Sequence, residues 1–289
     1  MTGNFIDTFR TQFKTTQYNL KNNYSIISTD FGKVRVFDTK ESKPVIISVP
    51  DGPNVIEHHE NLILKLSKDY RVICFEFGGL GKSYPNSKYD YSFDKSSRLI
   101  INLMDILKIE RAIFSFSCSN SFYAIKTAEL FPERVKHLFL SQTPSITSMV
   151  SWTDVNIPKI LRYPLIGQIV NSFSEKKLAK IWYKYALPKG IDNSSYINTA
   201  LCSLNNGGCF CLSSLVQGLE KESLSKLNVL EVPATLIWGK KDYTHRKTDN
   251  KSILEHLPNC EIIEFENCGH FPELEDTSQY VSLIKNKLG

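Results

Sequence analysis

Three short segments carry side chains that could do chemistry together. The first, Arg111–Val135 (RAIFSFSCSNSFYAIKTAELFPERV), reads as an apolar strand, a tight turn of Ser and Cys, and a helix. A nucleophile on such a turn is exposed at the carboxyl edge of a sheet, and N–H groups at the helix start face a developing oxyanion. Three residues compete for that position: Cys118, Ser119 and Ser117. The second segment, Ala234–Asp242 (ATLIWGKKD), runs from a strand-like stretch into a polar turn ending on Asp242. The third, Cys268-Gly269-His270-Phe271-Pro272, sets His270 between a strand and the last helix. Alone, an Asp in a polar turn is a turn residue, and a lone His is a structural or surface residue. Together they fit a relay in which a carboxylate orients an imidazole and the imidazole takes a proton from the nucleophile.

A thiol suits such a relay. Its pKa of about 8.5 is lowered by a neighbouring His and a helix N-terminus. The thiolate attacks an acyl carbon, forms a thioester, and passes the acyl group to water, an alcohol, an amine or another thiol. The other histidines, His58, His59, His137, His245 and His256, lack a comparable setting. His245 lies close to Asp242 and is expected to be a solvent-facing loop residue. No metal and no cofactor are expected. The seven cysteines form no CxxC pair, and Cys209 and Cys211 have no His partner at a zinc-like interval. Most are expected to be reduced and buried.

The elements that must position these residues alternate along the chain. Strand patterns at Ser25–Thr29, Lys33–Phe37, Val45–Val49, Arg71–Phe75, Ala112–Phe116 and Val135–Ser141 alternate with helical patterns at Ile56–Leu66, Asp94–Leu107 and Asn120–Leu130. Apolar strands alternating with helices predict an α/β fold, a mostly parallel sheet with helices on both faces. From Thr143 to Ser223 no strand pattern persists. Helical patterns appear there at Ile160–Val170, with Pro164 as a possible break, and at Glu175–Tyr185 and Leu212–Leu219. The strand–helix rhythm returns with Ala234–Trp238, a helix near Ser252–Leu257, strand Glu261–Phe265 and helix Thr277–Leu288. The predicted organisation is one core in two parts, residues 1–142 and 224–289, with an all-helical lid over 143–223.

These segments resemble the capped members of the α/β-hydrolase family. Glu110-Arg111-Ala112, the strand after it and Phe131-Pro132-Glu133-Arg134-Val135 look like the family's nucleophile strand and helix. Counting by the family's usual intervals from Glu110 and from Pro132 reaches Cys118 both times, with Ser119 as the alternative nucleophile. Trp238-Gly239-Lys240-Lys241-Asp242 resembles the strand–G-x-x-D segment, and Gly269-His270-Phe271 the G-H-F segment. The resemblance therefore implies a Cys118–His270–Asp242 triad. Glu76-Phe77-Gly78-Gly79-Leu80-Gly81-Lys82-Ser83 resembles the family's D-x-x-G-x-G-x-S loop and is expected to be structural rather than nucleotide-binding.

Two departures stand out. Where the family prefers glycines beside the nucleophile, Cys118 has Phe116 and Asn120. Where it usually carries His-Gly after the third strand, this chain has Pro50-Asp51-Gly52-Pro53. Proline has no N–H, so the oxyanion donors implied are the backbone N–H groups of Ser119 and of Asp51 or Gly52. An inward Asp51 carboxylate would oppose the oxyanion.

The implied function is acyl chemistry on an ester, thioester or lactone, by hydrolysis or transfer. The alternatives are a cyclase or lyase using His270 as base, and an inactive small-molecule-binding member of the fold. The lid aromatics Trp152, Phe173, Trp182, Tyr183, Tyr185, Tyr196 and Phe210 are expected mainly to pack, with one or two reaching a pocket floored by Cys118 and His270. The expected partner is a hydrophobic acyl substrate, free or carrier-bound. The net charge of +5 is scattered, which argues against nucleic acid. With no run of about 18 apolar residues and a polar, mixed Met1–Asn23, no membrane span or targeting segment is read, and the default compartment is the cytoplasm.

Overall fold

The computed structural model describes residues 3–14, 23–222 and 227–289. The expected lid boundary between Ser223 and Leu224, and part of the Met1–Asn23 segment, lie outside the described residues. In chain order the elements are α1 (Asn4–Gln12), β1 (Tyr24–Thr29), β2 (Gly32–Asp38), β3 (Val45–Val49), α2 (Glu60–Leu66), β4 (Arg71–Phe75), β5 (Leu80–Gly81), β6 (Tyr84–Pro85), α3 (Phe93–Ile106), β7 (Ala112–Ser117), α4 (Ser121–Leu130) and β8 (Val135–Ser141). There follow α5 (Ile146–Asn156), α6 (Lys159–Arg162), α7 (Ile166–Ala186), α8 (Ser194–Asn205), β9 (Cys209–Phe210) and α9 (Leu212–Lys221). The chain ends with β10 (Ala234–Gly239), β11 (Glu261–Phe265), α10 (Pro272–Glu275) and α11 (Thr277–Leu288).

The main sheet runs β1-β2-β4-β3-β7-β8-β10-β11. Pairing is parallel from β4 through β11, while β1–β2 and β2–β4 are antiparallel. Alternate residues of each strand feed opposite faces. Ile47, Ile73, Phe114, Leu138 and Leu236 join the core beneath α3 and α4. Ile46, Val72, Ile113, Phe139 and Ile237 join the core beneath α2 and α11. Burial on both faces explains why β7 and β10 are buried at every residue and why the only polar side chains in them are the small hydroxyls Ser115, Ser117 and Thr235.

Among the described residues between β8 and β10 the regular elements are helices except for β9, which corrects the all-helical expectation. Cys209–Phe210 pairs antiparallel with Leu80–Gly81 of β5, so the insertion is tied by backbone hydrogen bonds to the glycine-rich loop after β4. Two residues are too short to leave a strand pattern. The break expected at Pro164 falls between α6 and α7, but the patterns on either side of residue 172 merge into the single 21-residue α7. Helices α1, α5 and α8 were not read from the sequence, and the helix expected near Ser252–Leu257 is a 3₁₀ turn at Asn250–Glu255.

The Glu76–Ser83 loop is structural. The buried Glu76 carboxylate accepts from the N–H groups of Lys82 (2.7 Å) and Ile56 (3.1 Å) and lies 3.4 Å from Arg35 Nη1. Gly81 has φ +51, and a Cβ there would run into this carboxylate. The bond to Ile56 ties the loop to the chain that follows β3. Removing one member of a buried, hydrogen-bonded charge pair typically costs about 3–5 kcal/mol. Glu57 still pairs with Arg35 at 2.6 Å, so Glu76→Ala is expected to cost about 3 kcal/mol in urea unfolding and Glu76→Gln distinctly less. Equal losses for both would show that the carboxylate's acceptor contacts do not carry the effect.

Candidate active site

The turn after β7 is centred on Cys118. Its φ is +52, alone among residues 112–121, in a region that non-glycine residues seldom occupy. Ser117 is extended (φ −123, ψ 145) and its hydroxyl donates to Glu273 Oε1 at 2.7 Å. Ser119 lies within the 3₁₀ turn Cys118–Asn120. Around the turn, the Ser121 hydroxyl donates back to Phe116 O (3.0 Å), and Thr143 Oγ1 donates to Ser121 Oγ (2.8 Å). The larger flanking side chains are accommodated by pointing away. Phe116 stacks on Phe114 and meets Phe75 and Phe77 edge-on in the core. Asn120 Nδ2 donates to Pro50 O at 3.1 Å, fastening the turn to the β3 loop.

Asp242 and His270 meet beyond the carboxyl ends of β10 and β11. His270 Nδ1 donates to Asp242 Oδ2 at 2.6 Å. Gln142 Nε2 donates to the same oxygen at 2.8 Å, while Gln142 Oε1 accepts from Gly239 N–H. Asp242 Oδ1 accepts from the N–H and hydroxyl of Thr244, at 2.8 and 2.7 Å. The two loops are joined by Lys241 N–H donating to Cys268 O at 2.8 Å. Glu275 brackets His270, accepting from the N–H groups of Gly269 (2.7 Å) and Phe271 (2.9 Å). The N–H of His270 itself donates to Ala186 O, at the end of α7, at 2.8 Å. The Cys118 sulfur and a ring nitrogen of His270 lie within 4.8 Å of one another.

His245 corrects the solvent-facing expectation. It is 2% exposed and stacks between His270 (ring centroids 5.3 Å apart) and Trp152 (5.0 Å). Its loop folds inward because Trp152 Nε1 donates to Thr244 O and His245 Nδ1 pairs with Thr248 Oγ1. Asp51 also turns inward. Its Oδ2 is 3.4 Å from His270 Nε2, close enough for an ion pair though not aligned as a hydrogen bond.

This arrangement sets the charges. Burial alone would raise Asp242, but His270, His245 and Thr244 hold it far below the usual carboxylate range. Burial disfavours a cation at His270, yet Asp242, Cys118 and Asp51 push its pKa well above the ordinary histidine value. Burial, then the Asp51 carboxylate, pushes the Cys118 thiol up to about 11 against the pull of His270. Burial raises Asp51 itself and lowers His245 to about 3.

A cavity of about 170 Å³ opens beside the turn, with Cys118, Ser119, Asp51 and Gly52 on one side. Its other walls are mainly apolar and come from α5, α7, β9 and α9. Trp152, Trp182 and Phe210 are the lid aromatics that reach it, whereas Phe173 is exposed. A Cβ at Gly52 would sit 2.8 Å from Leu80 Cδ2 and 2.9 Å from the Phe210 ring, so a larger residue there would have to displace these side chains. His270 is fully buried and stands behind the cavity beneath Trp182 (5.1 Å, edge-on) instead of lining its floor. Gln142, Thr244 and Glu275 have no counterpart in the sequence reading, which places His245 in solvent. Gln142 follows β8 directly and Glu275 lies five residues after His270, but neither position has a sequence pattern that marks it.

The model of the α/β hydrolase fold family matches residues 44–277. A cis-3-alkyl-4-alkyloxetan-2-one decarboxylase of Shewanella oneidensis is 24% identical, with 88% of this chain and 84% of that protein aligned. A 2-hydroxy-6-oxononadienedioate/2-hydroxy-6-oxononatrienedioate hydrolase of Paraburkholderia phymatum is 23% identical over 89% and 91%. Epoxide hydrolase A of Mycobacterium thermoresistibile superposes with a TM-score of 0.77 at 12% identity, covering 92% of this chain and 97% of that one. With its mostly parallel sheet, the turn after β7 and a family match over most of its length, this chain belongs to the α/β-hydrolase family.

Proposed function

We propose that this chain is an enzyme acting on acyl substrates, an ester, thioester or lactone, with Cys118 as nucleophile, His270 as base and Asp242 as the group that orients it. The observation that carries the reading is the left-handed turn at Cys118, which opens on an apolar cavity with the His270–Asp242 pair behind it. In this mechanism His270 Nε2 takes the thiol proton and the sulfur attacks the carbonyl carbon. The N–H groups of Ser119 and of Asp51 or Gly52 receive the oxyanion. The leaving group departs with the proton from His270, and an acyl-cysteine remains. His270 then activates water or another acceptor. Residues 143–223 act as the lid, and their apolar inner surface favours a hydrophobic acyl group. Both curated relatives act, by name, on small oxygenated organic molecules, one an oxetanone, that is, a cyclic ester. Among the described residues no helix is long and apolar enough to cross a membrane.

A second reading draws on the inward Asp51. A carboxylate beside the oxyanion position and a raised thiol pKa disfavour acyl transfer, and an imidazole between two carboxylates suits proton transfer in a cyclase or lyase.

Intact-protein mass spectrometry with activated acyl esters separates the readings. Cys118→Ala is expected to abolish the acyl adduct and Ser119→Ala to retain it. The reverse pattern would move the nucleophile to Ser119, and an adduct lost in neither would remove the triad. Asp242→Asn, which favours the wrong imidazole tautomer, is expected to lower turnover by about 10³–10⁴.

Electrostatics gives a signed test. Asp51 raises both the Cys118 thiol and His270, so the acylation rate should climb with pH through the alkaline range as the thiol, near 11, ionises. Asp51→Asn should shift the whole profile to lower pH. A profile that stays in place, or moves to higher pH, would show that Asp51 does not face the reacting thiol.

A further inference from the structure

The cluster around Cys118 holds more ligand atoms than acyl chemistry uses. The Cys118 sulfur and one ring nitrogen each from His245 and His270 all lie within 4.8 Å of one another, and all three residues are buried. Nε2 of His245 and Nε2 of His270 are both buried without a hydrogen-bond partner. A buried imidazole nitrogen left without a hydrogen bond costs desolvation energy, and the two histidines that carry such atoms are the two clustered with the Cys118 sulfur.

From these atoms we propose that Cys118, His245 and His270 form a binding site for a thiophilic divalent cation of the zinc class. Three features of the geometry fit. The donor set, one thiolate and two imidazoles, is one that zinc accepts, with its fourth position open. Of the three ligands, Cys118 borders the cavity and the two histidines stand behind it. Both histidines are anchored through the opposite nitrogen, His270 Nδ1 on Asp242 at 2.6 Å and His245 Nδ1 on Thr248 Oγ1 at 3.1 Å. Such outer contacts fix the ring and leave Nε2 to the metal. The two ring centroids are 5.3 Å apart, compatible with the roughly 5 Å expected of two imidazoles on one tetrahedral ion with nitrogen–metal bonds of about 2.0 Å. Tightening a 4.8 Å span to the roughly 3.5 Å between donors on tetrahedral zinc takes about 1 Å of side-chain movement. On binding, one sulfur–metal and two nitrogen–metal bonds form as the ion gives up bound waters, and the protons on the Cys118 thiol and on the ligating His270 nitrogen leave to solvent, with no change of oxidation state. His245, which the acyl mechanism leaves idle, becomes a ligand. The site does not depend on acyl chemistry. If that chemistry operates, the ion occupies both of its working atoms and holds the enzyme off.

The test needs no substrate. The full chain, reduced and stripped of metal with a chelator, is titrated with Co²⁺ and then Zn²⁺. One equivalent of Co²⁺ should produce a thiolate-to-cobalt charge-transfer band that Zn²⁺ abolishes. Cys118→Ser should eliminate the band. His245→Gln should weaken binding at least tenfold, and Asp242→Asn by about 10–100-fold through loss of the outer contact. Cys202→Ser, at the exposed free cysteine, should change nothing. Should a variant fail to fold, the unaltered chain still decides. Zn²⁺ should protect Cys118, but not Cys202, from a small alkylating reagent, mapped by peptide mass spectrometry. No band, a band that survives Cys118→Ser, full affinity in His245→Gln, or no protection of Cys118 would each overturn the site. Because acyl-adduct formation is measured separately and without metal, failure of either reading is visible without the other.

Discussion

The structure turns on one backbone conformation, the positive φ of Cys118. A residue with a Cβ held in this region costs of order 1–3 kcal/mol and persists only where its surroundings over-determine it. Here they do. Strand β7 is held on both sides by β3 and β8, which pair with it in parallel. The bonds from Ser121 to Phe116 O, from Thr143 to Ser121 and from Asn120 to Pro50 O close the turn from three directions. The first is local, and the other two reach the loops after β8 and β3, so the turn depends on the assembled sheet as well as on its own sequence. The strain lifts the sulfur off the strand end to the cavity wall, within reach of His270.

This explains what the sequence made legible. The sheet could be read because β3, β4, β7 and β10 are buried along nearly their whole length and are mainly apolar, interrupted internally only by Ser or Thr, while β8 adds the apolar run Leu138–Leu140. Asp242 and His270 could be read because each follows a strand and a glycine, Asp242 three residues after Gly239 at the end of β10 and His270 directly after Gly269 beyond β11. The register at Cys118 could be read despite Phe116 and Asn120, since the segments on either side fix its distance from the strand start and the helix end. What escaped depends on contacts between distant positions. Gln142 works by joining Asp242 to Gly239, about a hundred residues on. His245 is drawn inward by Trp152, a lid residue, and a polar loop sequence gives no sign of that. β9 has only two residues, below the length at which alternation can appear, and it exists because β5 offers an edge.

The lid and the catalytic loop are mechanically one unit. Ala186 O, the last residue of α7, accepts the His270 N–H, and Trp182 one turn earlier covers the imidazole. A Cβ at Gly269 would collide with the same Ala186 carbonyl, so the contact is as close as backbones allow. Any movement of α7 that widens the cavity therefore pulls on His270. The cavity wall at Trp182 and the position of His270 are set by the same helix.

The two carboxylates beside His270 are not equivalent, and the difference decides which of them can respond to a ligand. Asp242 receives four donors, from His270, Gln142 and both groups of Thr244. Its charge is fixed whatever enters the cavity. Asp51 has no such set. Its one ion-pair partner among the described residues is His270, at 3.4 Å, and its other side faces the cavity. Burial then raises its pKa while the imidazolium restrains it. A neutral, apolar ligand that expels water from the cavity deepens the burial and favours a proton on Asp51. A cationic group does the reverse. Because Asp51 in turn raises the Cys118 thiol, protonating it makes the thiolate easier to form. The same loss of water acts directly against a thiolate at Cys118, whose pKa burial raises first, so the contents of the cavity set the charge at Asp51 and at Cys118 in opposite senses.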